Sequence, residues 1–399
     1  MSQPQPVILA AKRLPTGRFF GTLSRVPAPK LGALAIEAVL KEVPAAKDHV
    51  DECIMGCVLQ GGLGQNPARQ AALGAGLPPT LNAHTVNKVC GSGLQAVMIA
   101  AQAIKAGDIH LAIAGGFENM TAAPHFFSLR NGVKFGKDDL KDLMQHDGLT
   151  CAFEGWAMGN AADHIAQKHG ITREAQDEFA ARSHQLAAQA TEKGWFKAEI
   201  YPLTGEQLGN RKQPGPEGGL AIDEGVRGDT TAEGIARLKP AFTSDGTVTA
   251  GNASQISDGA AAIIVASQAK ADELGVKPLA RIVDYCTSGV EPKEIFDAPA
   301  LGVQMLFDRN GITKDDVDLF EMNEAFAAQC LANNKILQIP AEKINICGGG
   351  VALGHPIGAS GTRVLTTLIH QLIRTGGKRG ITSLCLGGGN AVNMLIETD

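Results

Sequence analysis

Asn82–Gly93 reads Asn-Ala-His-Thr-Val-Asn-Lys-Val-Cys-Gly-Ser-Gly, and the residues on either side of it decide the fold. The β-branched pair Thr85 and Val86 marks the end of a strand. Beyond the small-residue turn, Leu94, Val97, Met98, Ala101 and Ile104 recur at helical spacing. The strand before and the helix after place Cys90 at a helix N-terminus. Unpaired N–H groups and the positive end of the helix dipole there favour a thiolate, the nucleophilic form of cysteine. Gly91 and Gly93 would leave bare backbone for a substrate to reach the sulfur. The competing reading of Cys90 alone is a small buried hydrophobe in a strand-to-helix turn.

The same layout occurs twice. Ser92–Gly116 and Ser360–Gly388 each open with Ser-Gly, continue as an apolar-striped helix, turn at glycine (Gly107; Gly376 and Gly377), and end as a strand running into Gly-Gly. With a strand before each, the chain holds two copies of a βαβ unit, and an internal duplication about a pseudo-two-fold is the economical inference. Equivalent turns of the two halves would then meet, bringing Cys90, His355 and Cys385 together.

Outward from these units, strand-like runs (Val7–Ala11, Cys53–Val58, Leu111–Ala114, Ala260–Val265, Leu279–Tyr285, Val317–Met322, Ile344–Cys347, Ile381–Leu386) alternate with helical ones (Lys30–Leu40, Pro67–Leu73, Ala300–Phe307, Glu324–Leu337, Thr362–Ile373). This alternation predicts an α/β fold with a largely parallel sheet covered on both faces, Ile381–Leu386 being its last strand. From Thr121 to about Thr249 the texture is more polar. Helical stretches Asn160–His169 and Arg173–Lys193 are joined to a Gly/Pro-rich run, Gly205–Gly219. The resulting division is 1–120 as a first half completed by about 250–275, 121–249 as an inserted region, and 276–399 as a second half. The insert carries substrate contacts, or it serves solubility or association.

The 399 residues are 44% hydrophobic and 19% charged, as expected of a globular protein of more than one domain. A net charge of −5 argues against general nucleic-acid affinity. The start, Met-Ser-Gln-Pro-Gln-Pro-Val, has no secretory pattern, and no run is expected to reach a membrane span. Eight cysteines include no Cys-x-x-Cys pair, so metal and disulfide readings are both weak and a cytoplasmic setting is expected.

His355 lies in Leu-Gly-His-Pro-Ile-Gly-Ala-Ser-Gly, a turn shaped for binding. Its imidazole could take a thiol proton, donate to a developing oxyanion, or simply cap a helix. His49, His146, His164, His169 and His184 sit in polar segments and read as surface residues. Cys385, in Cys-Leu-Gly-Gly-Gly, is an acid–base candidate beside open backbone, or a core cysteine. Asn323 could hold a water or cap the helix after it.

Four separated signatures, Asn-Lys-Val-Cys-Gly-Ser-Gly (87–93), Asn-Glu-Ala-Phe-Ala (323–327), Ala-Leu-Gly-His-Pro-Ile-Gly-Ala-Ser-Gly (352–361) and Cys-Leu-Gly-Gly-Gly (385–389), make the chain resemble the thiolases over essentially its whole length. The resemblance implies a five-layered α-β-α-β-α fold of two duplicated halves, with a CoA-binding loop domain inserted in the first. It implies a ping-pong reaction that joins two acetyl-CoA molecules to acetoacetyl-CoA and CoA, or the reverse. Cys90 would carry the acyl group and His355 would activate its sulfur. Asn323 would hold a water at the substrate oxygen, and Cys385 would move the α-proton. The N–H groups of Cys90 and Gly387 would form the oxyanion hole. Arg227, Phe242 and Ser254 match CoA contacts, and Met158 and Phe326 lie near the acyl pocket. No metal and no cofactor beyond the CoA substrates is implied, and homodimers or homotetramers are expected.

Three departures bear on chain length: Ala157 stands where His commonly precedes the Met, Gln255 where Gly is usual, and Asn390 where Met or Gln usually follows Gly389. A 3-ketoacyl-CoA thiolase of fatty-acid β-oxidation is therefore the alternative within the class. A thiolase-like lipid or acyl-CoA carrier is the alternative outside it, and the two retained thiols argue against it.

Overall fold

The computed structural model describes residues 3–399 except 131, 133, 134, 136–138 and 210–212, so Met1, Ser2 and part of the Gly205–Gly219 stretch lie outside the described residues. The main strands are β1 (Pro6–Arg13), β2 (Glu52–Gly56), β3 (Asn82–Val86), β4 (Leu111–Asn119), β5 (Ser257–Ser267), β6 (Ala280–Gly289), β7 (Leu319–Met322), β8 (Arg379–Leu386) and β9 (Asn390–Glu397). The main helices are α1 (Ala28–Glu42), α2 (Pro67–Gly74), α3 (Ser92–Ala106), α4 (Met158–His169), α5 (Arg173–Glu192), α6 (Ala298–Asn310), α7 (Ala327–Leu337), α8 (Gly350–Leu353) and α9 (Ser360–Thr375).

The hydrogen-bonded order β7-β8-β9-β6-β1-β5-β4-β2-β3 is symmetric about the short β6–β1 pairing, where Val7 and Ile8 meet Arg281 and Ala280. Counting outward, β1 matches β6, β5 matches β9, β4 matches β8 and β2 matches β7. The counterpart of β3 is reduced to one parallel bridge, Phe320 to Ile344, where a strand Ile344–Cys347 is expected from sequence. The expectation of a largely parallel sheet also fails. The pairs β2–β3, β2–β4 and β7–β8 are parallel, whereas β1–β5, β1–β6, β4–β5, β6–β9 and β8–β9 are antiparallel. Much of the difference is β9, a strand hidden from the sequence reading by its polar start. It returns from β8 through Gly387–Gly389 and pairs along the whole of that strand.

Alternation along each strand sends neighbouring residues to different cores. On β4, Leu111, Ile113 and Phe117 pack with α1 and α2, while Ala112 and Ala114 face α3 and α9. On the other half, Ile381 and Leu395 pack with α6, while Leu384, Val392 and Met394 face the α3/α9 pair. The layers are thus α1/α2, sheet, α3/α9, sheet, α6, the five-layered α-β-α-β-α order that the resemblance implies.

The central pair meets through glycine. A Cβ on Gly93 would lie 2.6 Å from Thr362 Oγ1, and one on Gly361 would lie 2.3 Å from the Leu94 nitrogen. The 18 residues Val89–Ala106 do have the length and mean hydropathy, 1.2, of a membrane span, contrary to expectation. The apolarity comes from α3 being covered on several sides inside the core.

The chain between β4 and β5 leaves the sheet and carries α4 and α5. Its anchor is buried Arg13 at the end of β1, paired with Glu199 (2.6 Å) and Asp223 (2.7 Å).

Candidate active site

Cys90 stands on a tight turn between β3 and α3. Val89 is held at φ +47°, a left-handed conformation that a β-branched residue adopts only under constraint. The constraint is local: Asn87 Oδ1 accepts the Val89 N–H (3.0 Å), and Ser92 Oγ accepts the Lys88 N–H (2.8 Å) while donating to Val89 O (2.6 Å). The serine of Gly-Ser-Gly is therefore the clamp that presents Cys90. The glycines serve packing: Gly91 is met by Leu386 and Val392, and Gly93 by Thr362, so neither is open to substrate as expected.

Cys90 keeps a partly exposed edge, but its sulfur is enclosed by apolar groups of the central core and of a cluster holding Met120 and Ile357. Burial pushes the thiol up to about 12, assisted by the Glu118 carboxylate, although the N–H groups of Cys90 and Gly387 both reach the sulfur and pull the other way. The thiolate expected from the helix terminus is thus not the resting form, because desolvation outweighs the helix.

His355 follows α8, 6% exposed. Its Nδ1 lies 2.6 Å from Ser360 Oγ, and that hydroxyl donates its one hydrogen to Pro356 O at 2.9 Å. Ser360 can then only accept, so Nδ1 carries the proton and Nε2 the free lone pair. Asn323 Nδ2 sits 3.4 Å from that Nε2, and Asn323 Oδ1 is buried without a protein partner among the described residues. Asn323 is not a helix cap, since α7 begins beyond Phe326. Burial, with the Arg363 charge, holds His355 down to about 3. Cys385, at the end of β8, is 2% exposed, and its thiol is pushed well above the usual range by burial and then by the adjacent Cys90.

A cavity of about 270 Å³ opens against His355 and is lined by Met158, Phe242, Ser254 and Phe326. It lies between two apolar clusters: Cys90 packs on the one holding Met120 and Ile357, and Cys385 on the one holding Met158, Ala253 and Phe326. The chain just after the insert forms part of this wall by β-like pairing, with Ala253 bridged to Phe326 and the Ser254 N–H donating to Ala325 O (3.0 Å). Of the site residues singled out from sequence, Met158, Phe242, Ser254, Phe326 and His355 line the cavity, Cys90, Asn323, Cys385 and Gly387 stand behind its wall, and Arg227 is exposed and off it. Its N–H donates to His184 Nδ1 (3.1 Å), and His184 is buried, not a surface residue as expected.

Two supports escaped the sequence reading. Buried Glu118 accepts the N–H groups of Val58, Leu59 and Gly358 (3.0, 3.1 and 3.0 Å), tying the loop after β2 to the His355 turn. Ser360 was visible only as part of a glycine-rich signature.

An enclosed cysteine, a neutral imidazole with a free lone pair, a second thiol and converging N–H groups define a site for thiol-dependent acyl transfer. Residues 6–269 match the thiolase N-terminal domain family and residues 276–398 the thiolase C-terminal domain family. An acetyl-CoA acetyltransferase of Chromobacterium violaceum is 48% identical over 391 residues, 98% of each chain. Another from Pseudomonas aeruginosa is 48% identical over 394 residues, 98% of this chain and 99% of its own. The crystal structure of the Bacillus anthracis acetyl-CoA acetyltransferase superimposes with a TM-score of 0.96 at 41% identity, covering 100% of both chains. The chain belongs to the thiolase family.

Proposed function

We propose that this enzyme is an acetyl-CoA C-acetyltransferase, interconverting two acetyl-CoA with acetoacetyl-CoA and CoA through an acyl-Cys90 intermediate. The observation that carries the reading is the convergence, in a chain of this family, of two thiols and an imidazole: His355 lines the cavity, Cys90 and Cys385 pack on the two apolar clusters that flank it, and the Cys90 charge acts on Cys385. With Cys90 a thiol and His355 neutral, the proton moves to Nε2 as the sulfur attacks the thioester carbon and stays there, while the Cys385 thiol protonates the departing CoA thiolate. The Cys90 and Gly387 N–H groups stabilise the tetrahedral oxyanion, each such donor contributing about two to three orders of magnitude in rate. In the second half-reaction the Cys385 thiolate left by that step accepts the α-proton of acetyl-CoA. The enolate, its oxygen held by the protonated Nε2 of His355 and a water on Asn323, attacks the acyl carbon and releases the Cys90 sulfur, which takes its proton back from His355. Arg227, Phe242 and Ser254 are the candidates to hold CoA. Met158 and Phe326 shorten the acyl end of the cavity, which favours short chains.

A second copy is the partner we propose for β3, which pairs with β2 on one side only and leaves its other edge at the end of the sheet. Eight free thiols suit a reducing compartment such as the cytoplasm.

The test is thiolysis of acetoacetyl-CoA against a C8 3-ketoacyl-CoA, with Cys90→Ala as control. Preference for the C4 substrate by about tenfold or more is expected. Equal or better turnover of C8 would make the enzyme a broader 3-ketoacyl-CoA thiolase, and no Cys90-dependent turnover of either would leave a carrier.

A further inference from the structure

We propose that Gln255 is a positioning residue that couples the Arg227 loop of the insert to the His355 turn; this rests on the thiolase reading of His355. Gln255 lines the cavity, and its side chain contacts none of Cys90, His355 and Cys385. The two hydrogens of its Nε2 serve three carbonyls, one of them shared: Gly225 O at 2.9 Å, Val351 O at 3.0 Å and Ala352 O at 3.0 Å. Its backbone carbonyl accepts the His355 N–H at 3.1 Å and the Ser257 hydroxyl at 2.9 Å.

Each contact reaches a different part of the site. Gly225 lies two residues before Arg227, and a Cβ there would lie 2.7 Å from the Gln255 amide, so the loop is moulded on this side chain. Val351 and Ala352 belong to α8, which leads directly into His355. The orientation of the amide is fixed, because turning it over would aim its oxygen at three other carbonyl oxygens. A glycine here, usual in the resembled short-chain enzymes, would leave those three carbonyls to find other partners. One side chain thus sets both where CoA is held and where the imidazole stands.

Two variants test this in the full-length enzyme. Gln255→Met keeps the bulk and removes both donor hydrogens. Gln255→Glu keeps the shape, repels the carbonyls when ionised, and donates one hydrogen when neutral. Gln255→Met is expected to lower kcat/KM for acetoacetyl-CoA thiolysis about tenfold and to raise KM for CoA, at every pH. Gln255→Glu should be worse still near about pH 8, and its activity relative to wild type should recover as pH falls towards about 6. Kinetic constants within about twofold of wild type for both variants would overturn the proposal, as would equal, pH-independent losses, which mark a role in shape alone. If Gln255→Glu does not fold, the Gln255→Met shift in KM for CoA decides. If the wild type shows no Cys90-dependent turnover, the functional reading has failed. Cys90 alkylation by iodoacetamide then decides this proposal, and identical rates in wild type and Gln255→Met would overturn it.

Discussion

At Cys90 two opposing effects meet in one side chain: a helix terminus and two N–H groups that favour the thiolate, and an apolar enclosure that disfavours it. The enclosure prevails, with the thiol near 12 and His355 near 3. Alkylation of Cys90 by iodoacetamide should therefore accelerate with pH beyond about pH 9, whereas a preformed thiolate–imidazolium pair would give a rate flat from acid pH upward. Ser360 fixes which imidazole nitrogen carries the proton. Ser360→Ala frees the ring to rotate and exchange tautomers, and kcat for thiolysis should fall by about tenfold to a hundredfold. Ser360→Thr, which keeps the hydroxyl, should recover part of it.

The elements hold the reacting groups together by close approach rather than by long contacts. Helices α3 and α9 touch at Gly93 and Gly361, and these helices carry the Cys90 turn and the Ser360 partner of His355 at their N-termini. Gly93→Ala places a methyl 2.6 Å from Thr362 Oγ1. It should destabilise the fold by about 1–3 kcal/mol in urea unfolding, and thiolysis should fall further than stability alone explains. The insert is pinned to β1 by Arg13, fully buried between Glu199 and Asp223. Arg13→Met would leave two buried carboxylates without their cation, a loss of about 3–5 kcal/mol readable as a lower urea midpoint.

These elements also show what was legible in the sequence. The nucleophile, base and second thiol each announce themselves in short glycine-rich runs, since a turn of that shape needs small residues next to one another. The hub at Glu118 does not, because Gly358 is 240 positions away. Gln255 is visible only as a departure from the usual glycine, with partners in the Arg227 loop and in α8. Strand β9 was missed for a related reason: buried Asn393, whose Oδ1 accepts the Ser383 hydroxyl at 2.6 Å, looks like loop composition until the neighbouring strand supplies its partner.

For the molecule as a whole, buried ionisable groups set the pH range of the fold. His184 and His355 are held neutral, His184 at about 4 and His355 at about 3, with burial the leading cause for each. Below the ordinary histidine value of about 6.5 the unfolded chain takes up protons that the folded chain refuses, so this contribution to stability is lost as pH falls towards 4. Glu118, Glu321 and Asp258, raised mainly by burial to about 7, 8 and 6, act in the opposite sense over much of the same range. A single variant separates the two. His184→Asn keeps an acceptor for the Arg227 N–H without the titration, and between about pH 7 and 5 it should lose about 1–2 kcal/mol less stability than wild type.

The central claim is that Cys90 carries the acyl group, and intact-protein mass spectrometry after brief mixing with acetyl-CoA reads it directly. One acetyl group per chain is expected, located on the Cys90 peptide, removed by added CoA and absent from Cys90→Ala. A wild-type chain that stays unmodified, or a Cys90→Ala chain that is acetylated to the same extent, would contradict the account.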